Sequence, residues 1–292
     1  MLGMTSTSPS RPTAPEDVPT RTLADGLVLP AIGFGTYPLK GFAGRDAVAD
    51  AIGAGYRLID TAYNYENEGA VGAGVRQSGV PRDELVLQTK LPGRYHRHDD
   101  AVTAVQESLL RAGLDHWDLV LIHWPNPGRG LYAEAFAALL SLRDAGLVRS
   151  VGVSNFLPEH LDSLKRVTGE LPTVNQVELH PHFAQPEQRG ADEARGVLTQ
   201  SWSPLARGPL LEEPVIQEVA RAHGRTPGQV VLRWHVELGA VPLPKSGSAE
   251  RRRENLAVFD FTLSPDEVAA ISGLSRPDGR TNDQDPAVYE EL

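Results

Sequence analysis

The feature that most constrains this chain is an alternation that runs almost its whole length. Short apolar, β-branched runs are each followed by a longer stretch of helical periodicity, and the unit recurs eight times. The strand candidates lie at residues 31–36, 57–62, 85–90, 118–124, 149–155, 174–179, 197–202 and 240–245. They are apolar on both faces with polar residues at their C-terminal ends, the pattern of parallel strands covered by helices. Between them, residues 98–113 place Val102, Val105, Leu109 and Leu110 on one side and end at Gly113, an amphipathic helix with its stop. Residues 226–239 open with Thr226, Pro227 and Gln229, and residues 264–274 with Ser264, Pro265 and Glu267; both combine an N-cap, a first-turn proline and a capping box. Gly55, Gly79, Gly113, Gly146, Gly196 and Gly239 stand at helix-to-strand turns.

Eight such units fit an α/β fold of the closed (β/α)8 TIM-barrel type better than an open sheet. Two doubly wound halves of four strands are the alternative, but no Pro/Gly/Ser-rich linker divides the 292 residues. The expected organisation is a flexible tail over residues 1–20, rich in Ser, Thr and Pro, and one barrel domain over residues 21–292. An N-terminal β-hairpin turning at Asp25 and Gly26 precedes the barrel, and residues 277–292 form a C-terminal lid loop.

Composition then narrows the chemistry. A net charge of −10 argues against nucleic-acid binding, which needs a basic face. The absence of cysteine removes disulfides, thiolate metal sites and thiol nucleophiles. No secretory signal pattern and no membrane-length apolar run is present, so a cytoplasmic location is expected.

In a barrel of this kind the active-site loops leave the C-terminal ends of the strands. The polar residues gathered there are Asp60, Lys90 and His123, with Tyr65 in the loop after Asp60. Together they suit proton transfer at a carbonyl. A lysine ammonium beside a tyrosine lowers the phenol pKa, a carboxylate keeps the ammonium charged, and a histidine can orient the substrate oxygen. Taken singly each has a plainer reading: Lys90 a strand-end charge, Asp60 a helix cap, His123 a hydrogen-bonded core residue.

A second cluster is electrostatic. Lys245, Arg251, Arg252 and Arg253 against Glu250 make a positive island in an acidic chain. The three arginines fall in the first turns of a helix opened by Ser248, where the helix dipole disfavours cations. A bound anion would resolve that conflict.

Seven separated motifs now form a recognisable order: GYRLIDTAYNYENEGAVG (55–72), QTKL (88–91), LIHWP (121–125), GVSNF (152–156), NQVELHP (175–181), WSPLARG (202–208) and PKSGSAERRRENL (244–256). The chain resembles the aldo-keto reductase family from about residue 21 to 276, and within it the bacterial members that reduce diketo acids and aldehydes. The resemblance implies NADPH-dependent reduction of an aldehyde or ketone to an alcohol. Tyr65 matches the general acid, Lys90 and Asp60 the pair that tunes it, and His123 the substrate-orienting histidine. For the cofactor it implies Gly35, Thr36, Ser154, Asn155, Gln176, Ser203, Leu205 and Glu254. Trp202 matches the aromatic that stacks on the nicotinamide, and Lys245, Ser246, Arg251 and Asn255 the adenosine clamp. Tyr37, Trp124 and Phe156 are candidates for the substrate wall, and Arg129 could meet a substrate carboxylate.

The expected partner is a small carbonyl substrate, bound by a monomer with no nucleic acid, membrane or metal. His180-Pro181-His182 could suggest metal, but no acidic motif accompanies it. No Gly-x-Gly-x-x-Gly or Walker-type phosphate loop is present, and the elbow-like 152–156 lacks its last glycine. The alternative function is a non-catalytic NADPH-binding regulatory module of the same fold; a Schiff-base enzyme using Lys90 is a third reading.

Overall fold

A computed structural model describes residues 18–291 of the chain. The expected tail therefore lies outside the described residues except at its end, where Thr20 already begins a strand.

The hairpin pairs β1 (Thr20–Thr22) with β2 (Val28–Pro30) antiparallel. Its loop is longer than the Asp25-Gly26 signal alone suggests. Leu23 and Leu27 still pair through the backbone, so Ala24, Asp25 and Gly26 form a three-residue loop. Gly26 takes φ +88° there, a conformation that glycine adopts at no steric cost.

Eight parallel strands follow in chain order: β3 (Phe34–Gly35), β4 (Leu58–Asp60), β5 (Val86–Leu91), β6 (Trp117–Ile122), β7 (Val148–Ser154), β8 (Val174–Glu178), β9 (Leu198–Trp202) and β10 (Val241–Pro242). Each of the eight strand candidates overlaps one of them, with β5, β6 and β7 each extending one residue beyond the expected range. The barrel closes because the backbone amides of Gly33 and Gly35 donate to the carbonyls of Pro242 and Pro244, at 3.0 and 3.1 Å. Glycine is required at that seam, since a Cβ on Gly35 would lie 2.9 Å from the Leu243 carbonyl oxygen.

Helices α1 (Gly41–Ala54), α2 (Glu68–Ser78), α3 (His98–Ala112), α4 (Tyr132–Asp144), α5 (Pro158–Thr168) and α6 (Pro186–Ala194) alternate with these strands. The helices α7 (Pro214–His223), α8 (Pro227–Glu237), α9 (Ala249–Leu256) and α10 (Pro265–Ser272) complete the described set. The caps read from sequence are formed: Thr226 and Ser264 each make a capping box, and Ser248 accepts from the Arg251 amide. All six turn glycines lie at positive φ.

Alternation along each strand sorts the side chains. Leu87, Val120, Ile122 and Val153 face outward into the helix-covered core. Leu58, Leu119, Leu121, Val174 and Val241 face inward and are plugged from below by Leu23 and Leu29 of the hairpin. Above that apolar floor the barrel interior turns polar, and the chemistry is built on that layer.

Candidate active site

Asp60 ends β4, and Lys90 stands one residue before the end of β5, both with side chains inside the barrel. Asp60 is 5% and Lys90 1% exposed. Two such charges can be buried only as a pair. Lys90 Nζ donates to Asp60 Oδ1 at 2.6 Å and to the Thr61 carbonyl at 2.9 Å. Asp60 Oδ1 also accepts from Gln88 Nε2 at 2.7 Å and Gln176 Nε2 at 3.0 Å. Gln200 closes the ring, taking hydrogen bonds from both of those amides and returning one to Gln88. Gln88 opens the QTKL motif but no role is expected of it there, and Gln200 belongs to none of the seven motifs. The available signal was strand periodicity, which puts Gln88 on the same face as Lys90.

Lys90 Nζ lies 3.4 Å from the Tyr65 hydroxyl and 5.0 Å from its ring centre. Burial favours the uncharged amine, but the Asp60 and Tyr65 charges and their hydrogen bonds outweigh it and hold the Lys90 pKa above its ordinary value. For Tyr65 the effect of Lys90 has the expected sign but is outweighed. Burial raises the phenol pKa by more than Lys90 lowers it, and the charges of Asp60 and Glu291 add to the rise. Tyr65 is thus held as a neutral phenol, able to give a proton and poor at losing one without a recipient.

His123 follows β6, its ring edge-on to Tyr65 with centroids 6.0 Å apart. The four residues read as a tetrad therefore meet at one mouth. The C-terminal segment also reaches this point: Glu291 Oε1 lies 2.8 Å from His123 Nδ1.

The residues expected around a nicotinamide form a connected chain on the next strands. Ser154 Oγ donates to the Gln176 carbonyl. Asn155 Nδ2 donates to Ser154 Oγ and to the His123 carbonyl, and Trp202 Nε1 donates to Asn155 Oδ1 at 2.8 Å. Asn155 and Ser203 take positive φ, 62° and 49°, unusual for residues with a side chain and typical of functional loops. The amide nitrogen of Gln176 is committed to Asp60 and Gln200. Thr36 is buried and accepts from Asn67, and Leu205 packs half-buried against the core.

At the other end, Lys245 and Arg251 are exposed beside the N-terminus of α9, and neither has an acidic partner among the described residues. That is the donor set an anionic phosphate fits. Arg252 is different: it is buried and bonded to Asp50 of α1 at 2.6 and 2.8 Å. Its charge is spent in fixing α9 to the barrel, so the positive island is smaller than the sequence suggests. Ser246 caps the turn before α9 through Ser248. Glu254 accepts from Thr226, and Asn255 is buried against the Tyr56 hydroxyl.

Of the expected pocket walls, Tyr37 is 59% exposed and stacks against Tyr65 at 5.0 Å. Trp124 lies under Tyr289 of the C-terminal segment. Phe156 is 0% exposed and packed between Tyr132 and His160, and it also borders a small cavity with Trp124, Asn155 and Trp202. Arg129 donates to the Gly93 carbonyl at 3.1 Å. His180 and His182 are held by separate carboxylates, Glu178 and Glu213.

A parallel (β/α)8 barrel with a Tyr, Lys, Asp and His cluster at its C-terminal mouth defines a class of carbonyl-handling barrel enzyme, and comparison with known proteins narrows it. Residues 31–276 match the aldo/keto reductase family. The chain is 52% identical over 277 residues to the 2,5-diketo-D-gluconic acid reductase B of Corynebacterium sp. (strain SHS752001), covering 94% of this chain and 99% of that one. It is 45% identical over 268 residues to an aldo-keto reductase of Mycolicibacterium smegmatis, covering 90% and 98%. Among solved structures, an NADPH complex of a Gox0644 variant aligns with TM-score 0.90 and 39% identity over 94% of this chain and all of that one. The NADP complex of a Bombyx mori aldo-keto reductase aligns with TM-score 0.87 and 33% identity, covering 94% and 98%. The chain belongs to the aldo/keto reductase family. No helix among the described residues is long and apolar enough to cross a membrane.

Proposed function

We propose that this protein reduces the carbonyl group of a small aldehyde or ketone to an alcohol, using NADPH, with Tyr65 as the proton donor. The observation that carries the reading is the burial of Lys90 against Asp60 within reach of the Tyr65 hydroxyl, at a mouth shared with His123. NADPH, when bound, supplies the hydride. Lys245 and Arg251 would hold its ribose phosphate, and Ser154, Asn155 and Trp202 stand where the nicotinamide is expected.

The chain's own part is proton delivery and charge stabilisation. The carbonyl oxygen gains electron density as the carbon is reduced, and Tyr65 gives its proton to that oxygen. Lys90 supplies the positive charge that makes the resulting phenolate tolerable in a buried site. Asp60 keeps Lys90 charged and aimed, and the two glutamines keep Asp60 in place. His123 supplies an imidazole nitrogen to orient the substrate oxygen. The similarity to a diketo-acid reductase supports oxo acids and related aldehydes as substrates.

The test is Tyr65→Phe, which removes one hydroxyl and little else. NADPH oxidation with an aldehyde should fall about 10²–10⁴-fold, while NADPH still quenches the tryptophan fluorescence. Full activity in that variant refutes the assignment. A wild-type chain that binds NADPH yet oxidises it with no aldehyde, glyoxal or diketo acid is a binding module instead.

A further inference from the structure

Beyond the tetrad, one more charged side chain reaches His123, and it comes from the far end of the chain. Residues 277–291 run across the barrel mouth and are fastened at several points. Thr281 is bonded to Glu178, Tyr289 packs on Trp124 with ring centres 4.5 Å apart, and Glu290 Oε1 accepts from the Gly128 amide at 2.6 Å. Glu291 then turns inward and is 8% exposed.

Its carboxylate is gripped on both oxygens. Oε1 accepts from Asn64 Nδ2 at 2.7 Å and lies 2.8 Å from His123 Nδ1, and Oε2 accepts from the Gly93 amide at 3.1 Å. The Glu291 carbonyl accepts from Asn126 Nδ2 at 2.7 Å. Asn64 is itself braced by Arg94 at 2.6 Å. Gly93 permits this closeness, because a Cβ there would fall about 2.5 Å from the Asn126 side chain. Oε1 sits off the N–H direction of the ring, so charge and the other donors hold the pair more than an ideal hydrogen bond does.

We propose that Glu291 is a positioning residue for His123, fixing from the C-terminal segment which ring nitrogen meets the substrate. The inference rests on the reading of Tyr65 and His123 given above. A carboxylate at Nδ1 anchors that side of the ring and turns Nε2 toward the substrate; because a carbonyl oxygen only accepts, Nε2 meets it as an N–H donor, with the ring a cation carrying a proton on each nitrogen. Among the described residues, Glu291 supplies the one polar side-chain contact to the imidazole. Burial alone would push the Glu291 carboxyl up. The His123 charge and the hydrogen bonds from Gly93 and Asn64 outweigh that and hold it below the usual carboxylate range, so it meets the ring as an anion. The docked segment thereby becomes part of the active site.

The experiment compares the full-length wild type with Glu291→Gln, Glu291→Ala and Glu290→Gln. Steady-state rates are measured with NADPH and an aromatic aldehyde, and the His123 ring nitrogens are observed by ¹⁵N NMR. Glu291→Gln and Glu291→Ala should each lower kcat about tenfold with the KM for NADPH unchanged, the scale seen when the support behind a functional histidine is removed. Added formate should restore part of the loss in Glu291→Ala by refilling the carboxylate site. The His123 Nδ1 resonance should move away from its protonated position in both. Glu290→Gln, which removes the neighbouring negative charge while keeping an oxygen to accept from Gly128 and without touching His123, should match the wild type.

An equal loss in Glu290→Gln would mean that the negative charge of the segment, and not the contact with His123, is what matters, and would overturn the inference. So would wild-type kcat with an unmoved His123 resonance in Glu291→Gln, and that result leaves the role of Tyr65 intact. A wild type that turns over no aldehyde removes the catalytic reading first, and the NMR comparison still decides whether Glu291 sets the ring.

Discussion

Replacing Asp60 by Asn isolates the charge at the centre of this site. The amide keeps an oxygen able to accept from Gln88 and Gln176, so the loss is confined to the negative charge facing Lys90. At 2.6 Å the gross attraction is on the order of 6 kcal/mol in a medium of effective dielectric about 20. Much of that is offset by the cost of taking both ions out of water. Leaving one buried ion without its partner is nonetheless expected to cost about 3–5 kcal/mol. For a chain of this size that corresponds to a melting temperature lower by about 5–8 °C.

Urea titration followed by the buried Trp117 and Trp234 gives the free energy directly, provided unfolding is reversible. The Lys90 pKa is raised above the ordinary lysine value by Asp60 and Tyr65, against burial. A raised lysine stabilises fully below its unfolded pKa and loses that contribution only as pH climbs through the folded one. The Lys90 contribution should therefore be constant from about pH 6 to 9. The double variant Asp60→Asn with Lys90→Met removes the stranded charge and should recover most of the loss. If Asp60→Asn costs less than about 1 kcal/mol, or the double variant is as unstable as two independent losses, the buried pair is not what holds this site.

Two further measurements test other parts of the molecule. Lys245→Ala and Arg251→Ala should each weaken NADPH binding by about tenfold while leaving NADH binding unchanged, read by fluorescence titration at low salt. Equal losses for both cofactors would place these side chains away from the 2′-phosphate. Burial raises the Asp192 pKa to about 6, despite hydrogen bonds from Asn175, Gln188 and Thr199. A raised carboxyl favours the folded state only when protonated, so its contribution is lost as pH rises from about 4 through 6. Asp192→Asn should accordingly gain up to about 3 kcal/mol near pH 8 and nothing below about pH 4. A destabilised variant at the higher pH would show that the three hydrogen bonds outweigh burial.

The legible part of this protein is what short-range chemistry dictates. Strand and helix periodicity, the Thr226 and Ser264 capping boxes and the turn glycines specify the eight units, because each depends on neighbours a few residues apart. Tyr65, Asp60, Lys90 and His123 were readable because they sit in recurring motifs at strand ends. The surroundings of Phe156 are not legible locally, because an aromatic beside a functional loop looks the same in sequence whether it faces a pocket, the core or, as here, both. Arg252 was counted as free charge, since its partner Asp50 lies 202 positions away.

What the sequence determined by itself, then, was the class of fold and the family, with the four residues proposed to react. Tertiary structure alone decided their state. Whether Tyr65 is a raised or lowered acid depends on a contest between burial and the charges of Lys90, Asp60 and Glu291. Those terms come from β4, β5 and the C-terminal segment, and closing the barrel is what brings them together. The Gln88–Gln176–Gln200 layer and the grip on Glu291 arise the same way. They are contacts between distant segments, and their strength depends on distances that no local pattern encodes.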